Sequence, residues 1–139
     1  SAARSNGGTG GVGQTVSGSA GQTYSLSMYA KKNASEDANI GINFYDSNWN
    51  LLGGAYQAIT SSQYEIYYVS GTAPTNTAHV QPHGYKSAGS GEAFYDDFCF
   101  ESWAITAASC GNSSCEVEPS YNNYIFHDLY IYIVIVLNN

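Results

Sequence analysis

The segment Thr23-Tyr-Ser-Leu-Ser-Met-Tyr-Ala30 places Tyr24, Leu26, Met28 and Ala30 at every second position. Alternation of period two puts such residues on one face of an extended chain, the mark of a strand with one buried side. The pattern recurs down the sequence. Segment 38–45 turns Ile40, Ile42 and Phe44 inward before the turn-forming run Asp46-Ser-Asn48. A weaker strand is expected over 51–59 and a stronger one over 63–72, carrying Tyr64, Ile66 and Tyr68. After the break at Ala73-Pro-Thr-Asn76 a further strand runs over 78–85, and 93–101 spaces Phe94, Phe98 and Phe100 for one face. Val12-Gly-Gln-Thr-Val16 also alternates, while the Gly-rich stretch ahead of it is expected to carry little structure. Short strands recurring about every eight to twelve residues, with turns between them, indicate an all-β sandwich or barrel.

Composition narrows the function. Charged residues make up 11% of the chain and hydrophobic residues 43%, with 13 tyrosines, a folded rather than a disordered balance. The net charge is −7 and Lys plus Arg number only 4. A nucleic-acid partner needs a basic patch that displaces phosphate counterions, and an anionic membrane surface needs the same. Neither can be assembled from so few cations. Uncharged, hydroxyl-rich partners such as glycans suit this surface better.

Catalysis finds little support. Asp96 and Asp97 are adjacent on an expected strand, hence on opposite faces, and cannot act together as a glycosidase acid pair. His79 and His83 share a face but lie about 13 Å apart along it, too far for one metal ion. Gly8-Thr-Gly-Gly-Val-Gly13 matches G-x-G-x-x-G in letters only, with no strand before it and no helix after it. No nucleophile–base arrangement has supporting context, so a non-catalytic protein without a cofactor is expected.

Cys110-Gly-Asn-Ser-Ser-Cys115 spans a short turn-rich loop suited to a local disulfide, leaving Cys99 unpaired. N-glycosylation sequons occur at Asn33 and Asn112, both in expected loops. These features point to a secreted, extracellular glycoprotein. The chain divides into a sandwich over 1–101, a tether with the cysteine loop over 102–123, and a C-terminal strand over 124–139. That strand is apolar on both faces, Ile125, Leu129, Ile131, Ile133, Ile135 and Leu137 against Tyr130, Tyr132, Val134 and Val136. It is interrupted by His127 and Asp128 and falls short of the roughly 20 apolar residues of a membrane helix. A strand of this kind needs burial, because exposed it would template aggregation.

The stretches Gly11-Val-Gly-Gln-Thr-Val16, Gly21-Gln-Thr-Tyr-Ser-Leu-Ser-Met-Tyr-Ala-Lys31, Gly41-Ile-Asn-Phe-Tyr-Asp46, Gly71-Thr-Ala-Pro74 and Phe94-Tyr-Asp-Asp-Phe98 together resemble the jelly-roll carbohydrate-binding modules of secreted glycoside hydrolases. The resemblance implies a jelly-roll β-sandwich of two antiparallel sheets, here with a tethered C-terminal strand. It also implies a structural calcium near Asp96, although the opening strand whose carboxylate helps hold that ion in the family is absent from the expected elements. Sugar binding in such modules rests on aromatic rings and amides, for which Trp49, Tyr45, Tyr56, Tyr85, Asn43 and Gln81 are the candidates. A sandwich short of one strand and a surplus strand on a tether suggest a further expectation: the surplus strand enters the next copy, building a helical or linear homopolymer, an extracellular fibre. The alternative is a glycan-binding module of a larger secreted protein.

Overall fold

The computed structural model describes residues 3–6, 10–33, 37–104 and 120–122. Ten strands follow in order: β1 Ala3–Asn6, β2 Gly10–Gly13, β3 Val16–Ser17, β4 Thr23–Lys32, β5 Ala38–Tyr45, β6 Leu51–Ala58, β7 Glu65–Thr72, β8 His79–Lys86, β9 Glu92–Ala104 and β10 Ser120–Asn122. They form two antiparallel sheets, one ordered β1-β9-β4-β7 with β10 also on β9, the other β2-β8-β5-β6 with β3 also on β8. The expected all-β sandwich is what the chain forms.

The alternating segments bury the faces their patterns dictate. Tyr24, Leu26, Met28 and Ala30 of β4 meet Ile40, Ile42 and Phe44 of β5 in one core. Each large side chain removed from water here contributes roughly 1.5–3 kcal/mol. Tyr24 stacks on Phe100 with centroids 5.7 Å apart, which ties β4 to β9 within the core. Lys86 is also fully buried, and its Nζ donates to the carbonyls of Ser87 at 2.8 Å and Gly89 at 3.2 Å. Those carbonyls offset the cost of burying an ammonium group.

Two strands turn a face other than the expected one. On β7 the buried residues are Tyr67 and Val69, while Ile66 and Tyr68 are exposed, as is Tyr64 just ahead of the strand. Tyr67 is held inward because its hydroxyl accepts the Thr60 and Ser61 N–H groups, at 3.1 and 3.0 Å. On β9 the register against β4 shifts between Ser27 and Tyr29, and Asp97 sits at φ 48. This irregularity flips the alternation, so Ala93 and Tyr95 face inward before it and Phe100 and Ser102 after it. Phe94, expected beside Phe98 and Phe100, therefore lies on the opposite face, and its ring receives the Lys31 ammonium at 5.1 Å.

The front of the chain also departs from expectation. Ala3–Asn6, in a stretch expected to carry little structure, pairs with β9 from Ala3↔Tyr95 to Asn6↔Glu92. At the other end β9 continues through Ala104, and β10 lies antiparallel to it with Asn122 opposite Ser102. Parts of the expected tether thus belong to the sheet.

Candidate functional site

The outward positions of the β2-β8-β5-β6 sheet are fixed by strand register. Tyr45 pairs with His79, Asn43 with Gln81 and Gly54, Gly41 with His83 and Tyr56, and Asn39 with Tyr85 and Ala58. Beyond β8, Gly13 and Gly11 of β2 lie opposite His83 and Tyr85. Ile40, Ile42 and Phe44 alternate with the outward residues of β5 and point into the core, so every second residue is free for the surface. All of the residues that the sequence nominates for sugar recognition are gathered at this one face.

Hydrogen bonds run across it. The Tyr56 hydroxyl donates to Asn43 Oδ1 at 2.6 Å, Asn43 Nδ2 donates to the Tyr45 hydroxyl at 3.1 Å, and that hydroxyl donates to Gln81 Oε1 at 3.2 Å. The series links β6, β5 and β8 and fixes the orientation of two amides. In this arrangement Asn43 accepts through its oxygen and donates through its nitrogen.

Glycines form the floor beneath the rings. A Cβ on Gly41 would lie 2.6 Å from Tyr56 Cδ1 and 2.8 Å from His83 Cε1, and one on Gly54 would lie 2.7 Å from Tyr56 Cζ. Tyr56 therefore leans across bare backbone rather than standing upright from the sheet, and it stays 53% exposed. His83 meets it edge-on at 6.0 Å. The His83 Nδ1 lies 3.1 Å from the Gln81 carbonyl, which can only accept, so Nδ1 carries the proton and Nε2 the lone pair in the neutral ring. Burial holds His83 below its ordinary pKa of 6.5, against the opposing effect of the Gln81 carbonyl.

Trp49 reaches the face from the turn between β5 and β6. Asp46 Oδ1 accepts the Asn48 and Asn50 N–H groups at 2.8 and 2.9 Å, and Oδ2 accepts from Asn50 Nδ2 at 2.9 Å. These bonds, the Asn50 side chain foremost, hold the Asp46 carboxyl below its ordinary range. They also close the turn with Trp49 at φ 66 and 56% exposed. Its indole stacks on His79 and tilts against Tyr45 at 5.9 Å.

At the far end of the face, Asn39 Oδ1 is buried without a hydrogen-bond partner. Asn39, His79, His83 and the glycine floor are not among the residues that the sequence nominates for sugar recognition. The two histidines invite attention there only as metal ligands, whereas their outward parity with Gln81 on β8 places them here. The described residues of this face include no carboxylate on the sheet itself.

The other sites expected from sequence stand apart. Asp96 Oδ1 accepts the Asp97 N–H at 3.1 Å at the β9 irregularity, where the two residues do not simply alternate between faces. Among the described residues no group of three or more His, Cys, Asp or Glu could hold a metal ion. Asn33 is exposed, but its Nδ2 donates to Glu92 Oε2 at 3.1 Å and its Oδ1 accepts the Glu92 N–H at 2.9 Å. Asn112, Cys110, Cys115 and the strand 124–139 lie outside the described residues. No helix among the described residues is long and apolar enough to cross a membrane.

No family model matches the chain, and no curated protein does. Solved structures do resemble it. Family 16 Carbohydrate Binding Module-2 superposes with a TM-score of 0.57 at 18% identity, over 70% of this chain and 73% of that one. The CBM4 structure gives 0.53 at 18% identity, over 73% and 82%. The enzymatically active domain of tailspike protein 4 of bacteriophage CBA120 gives 0.55 at 16% identity, over 66% of this chain and 13% of the tailspike chain. The chain therefore spans a small part of the tailspike protein and most of each module. At these identities the likeness is one of fold, and the fold is the carbohydrate-binding-module jelly roll.

Proposed function

We propose that this protein is a non-catalytic, extracellular glycan-binding module whose site is the outer face of the β2-β8-β5-β6 sheet. The observation that carries the reading is the hydrogen-bonded series Tyr56–Asn43–Tyr45–Gln81, flanked on the same face by the exposed ring of Trp49. Rings offer apolar faces to the C–H faces of pyranose sugars, and oriented amides meet hydroxyls. With net charge −7 and, among the described residues, no basic residue along this sheet face other than its histidines, a neutral glycan fits better than an acidic one. The likeness in fold to Family 16 Carbohydrate Binding Module-2 supports the same reading.

Binding to a glycan array is the test. Retention of one or more neutral oligosaccharides, lost in Tyr56→Ala, supports the proposal. Absence of binding to every neutral glycan on the array counts against it. The second reading is a fibre built when the C-terminal run, which lies outside the described residues, enters a neighbouring copy; among the described residues, 97–101 of β9 has no strand on its outer side. The two are compatible, since polymerisation would use the other sheet.

A further inference from the structure

His83 stands on the outer face of the β2-β8-β5-β6 sheet with a glycine on either side. Its partner on β5 is Gly41 and its partner on β2 is Gly13, so neither neighbouring strand raises a side chain directly beside the imidazole. Gln81 shares its face about 7 Å away along β8. Tyr56 leans toward it from β6 across Gly41, with ring centroids 6.0 Å apart. His83 therefore lies within the outline that Tyr56, Asn43, Tyr45 and Gln81 mark out. A sugar that rests on Tyr56 and reaches Gln81 covers the edge of this ring.

The neutral ring has a defined polarity. Nδ1 donates to the Gln81 carbonyl at 3.1 Å, which leaves the lone pair on Nε2. Nε2 lies 2.9 Å from the point where a Cβ on Gly41 would stand, so it is turned over bare backbone of β5. A sugar hydroxyl above that backbone has an acceptor within reach.

Protonation replaces the lone pair by an N–H and puts a charge on a half-buried ring. The surroundings do little to balance it. β5 and β2 offer Gly41 and Gly13, β6 the Tyr56 phenol, and β8 itself Gln81 and the Tyr85 phenol; among the described residues no carboxylate faces the ring from these strands. Burial already holds His83 below its ordinary pKa of 6.5, against the effect of the Gln81 carbonyl. A glycan laid over the face withdraws more water from the imidazole and penalises the charged form further.

We propose that His83 couples glycan binding to pH: the neutral imidazole accepts from the glycan, and protonating it weakens binding. The inference rests on the reading of this face as a glycan site. By reciprocity, a bound glycan keeps the ring neutral to lower pH than the free protein does. Asp46, at the Trp49 end, is held below its ordinary 3.8 and stays ionised over the range in which a histidine titrates.

The test is calorimetric titration of the full chain with soluble neutral oligosaccharides of β-1,4-linked glucose, xylose, mannose and galactose, at about pH 7.5 and about pH 5. Wild type should bind at least one of them about five-fold more weakly at the lower pH. In His83→Gln the affinity should be the same at both. Equal wild-type affinity at the two pH values would overturn the coupling and leave the glycan site standing. So would a pH response that survives in His83→Gln, which would assign it to another group such as His79. No binding by any of the four at either pH would strike the glycan reading of the face, and this inference with it. A second measurement needs no variant to bind: the wild-type His83 imidazole is titrated by NMR with and without saturating oligosaccharide. Its midpoint should move to lower pH when the glycan is present. A midpoint that stays in place or rises contradicts the proposal.

Discussion

The Trp49 indole lies parallel to the His79 imidazole, with ring centroids 4.1 Å apart and planes inclined by 7°. The stack joins a turn residue to a sheet residue, so an exposed ring is held in place rather than left to wander with its loop. The backbone that presents it adopts φ 66, a conformation glycine takes without cost. Trp49→Gly is therefore expected to keep thermal stability close to wild type. Glycan affinity should fall about ten-fold, a loss of roughly 1.4 kcal/mol. Calorimetric titration beside a thermal melt checks both parts.

Gly41 lies under two rings at once. A methyl group there would sit 2.6 Å from Tyr56 Cδ1 and 2.9 Å from His83 Nε2. Tyr56 is exposed and can lift away, so Gly41→Ala is expected to cost about 1–3 kcal/mol of stability at most while displacing the ring from the site. Affinity should fall even where the protein remains folded. Denaturant unfolding and binding measured on the same preparation separate the two effects.

Tyr67 accepts the N–H groups of Thr60 and Ser61 through one hydroxyl. Tyr67→Phe leaves both donors without that acceptor and should destabilise the fold by about 1–3 kcal/mol. Tyr67 lies on the opposite sheet from the proposed site, so glycan affinity of the folded variant should not change. A shift in the urea midpoint at constant slope is the expected readout.

His83 gives the site a pH dependence with a definite sign. Burial lowers its folded pKa beneath the ordinary 6.5, so between those values the unfolded chain binds more protons than the folded one. Its contribution is fully present above pH 6.5 and is lost as pH falls through the lowered folded value. In His83→Gln the fall in melting temperature over that window should flatten relative to wild type. Asp46, held below its ordinary 3.8 by Asn50, adds its own loss only in more acidic solution.

Local pattern and tertiary context divide what can be read from sequence. On β4 and β5 the alternation is uninterrupted, and Tyr24, Leu26, Met28, Ile40, Ile42 and Phe44 are buried as the pattern requires. On β9 the pattern is broken by an irregularity centred on Asp97, and no hydropathy pattern announces a left-handed aspartate; Phe94 is misplaced for that reason. On β7 both faces are apolar, and the choice of Tyr67 over Tyr68 depends on N–H groups of a preceding loop. β1 reads Ala-Arg-Ser-Asn, with no strand signal of its own, and exists through its pairing to β9.

The site shows the same division. Trp49 is legible because a tryptophan inside a polar turn has no place in a core, and Asn43, Tyr45 and Gln81 because they alternate with core residues. The glycine floor is not, since the closeness of Gly41 to Tyr56 and His83 is a cross-strand fact. In the sequence His79 is half of a pair too widely spaced for a metal; its role as the base on which Trp49 stacks emerges only from the fold.

Affinity electrophoresis of the full chain through gels containing soluble neutral polysaccharides tests the central claim most directly, with the combined Trp49→Gly and Tyr56→Ala variant run alongside. Retardation of the wild-type chain by at least one polysaccharide, abolished in the double variant at unchanged melting temperature, is the result predicted. Equal migration of wild type with and without every polysaccharide, or retardation that survives in the double variant, would contradict the assignment of glycan binding to this face.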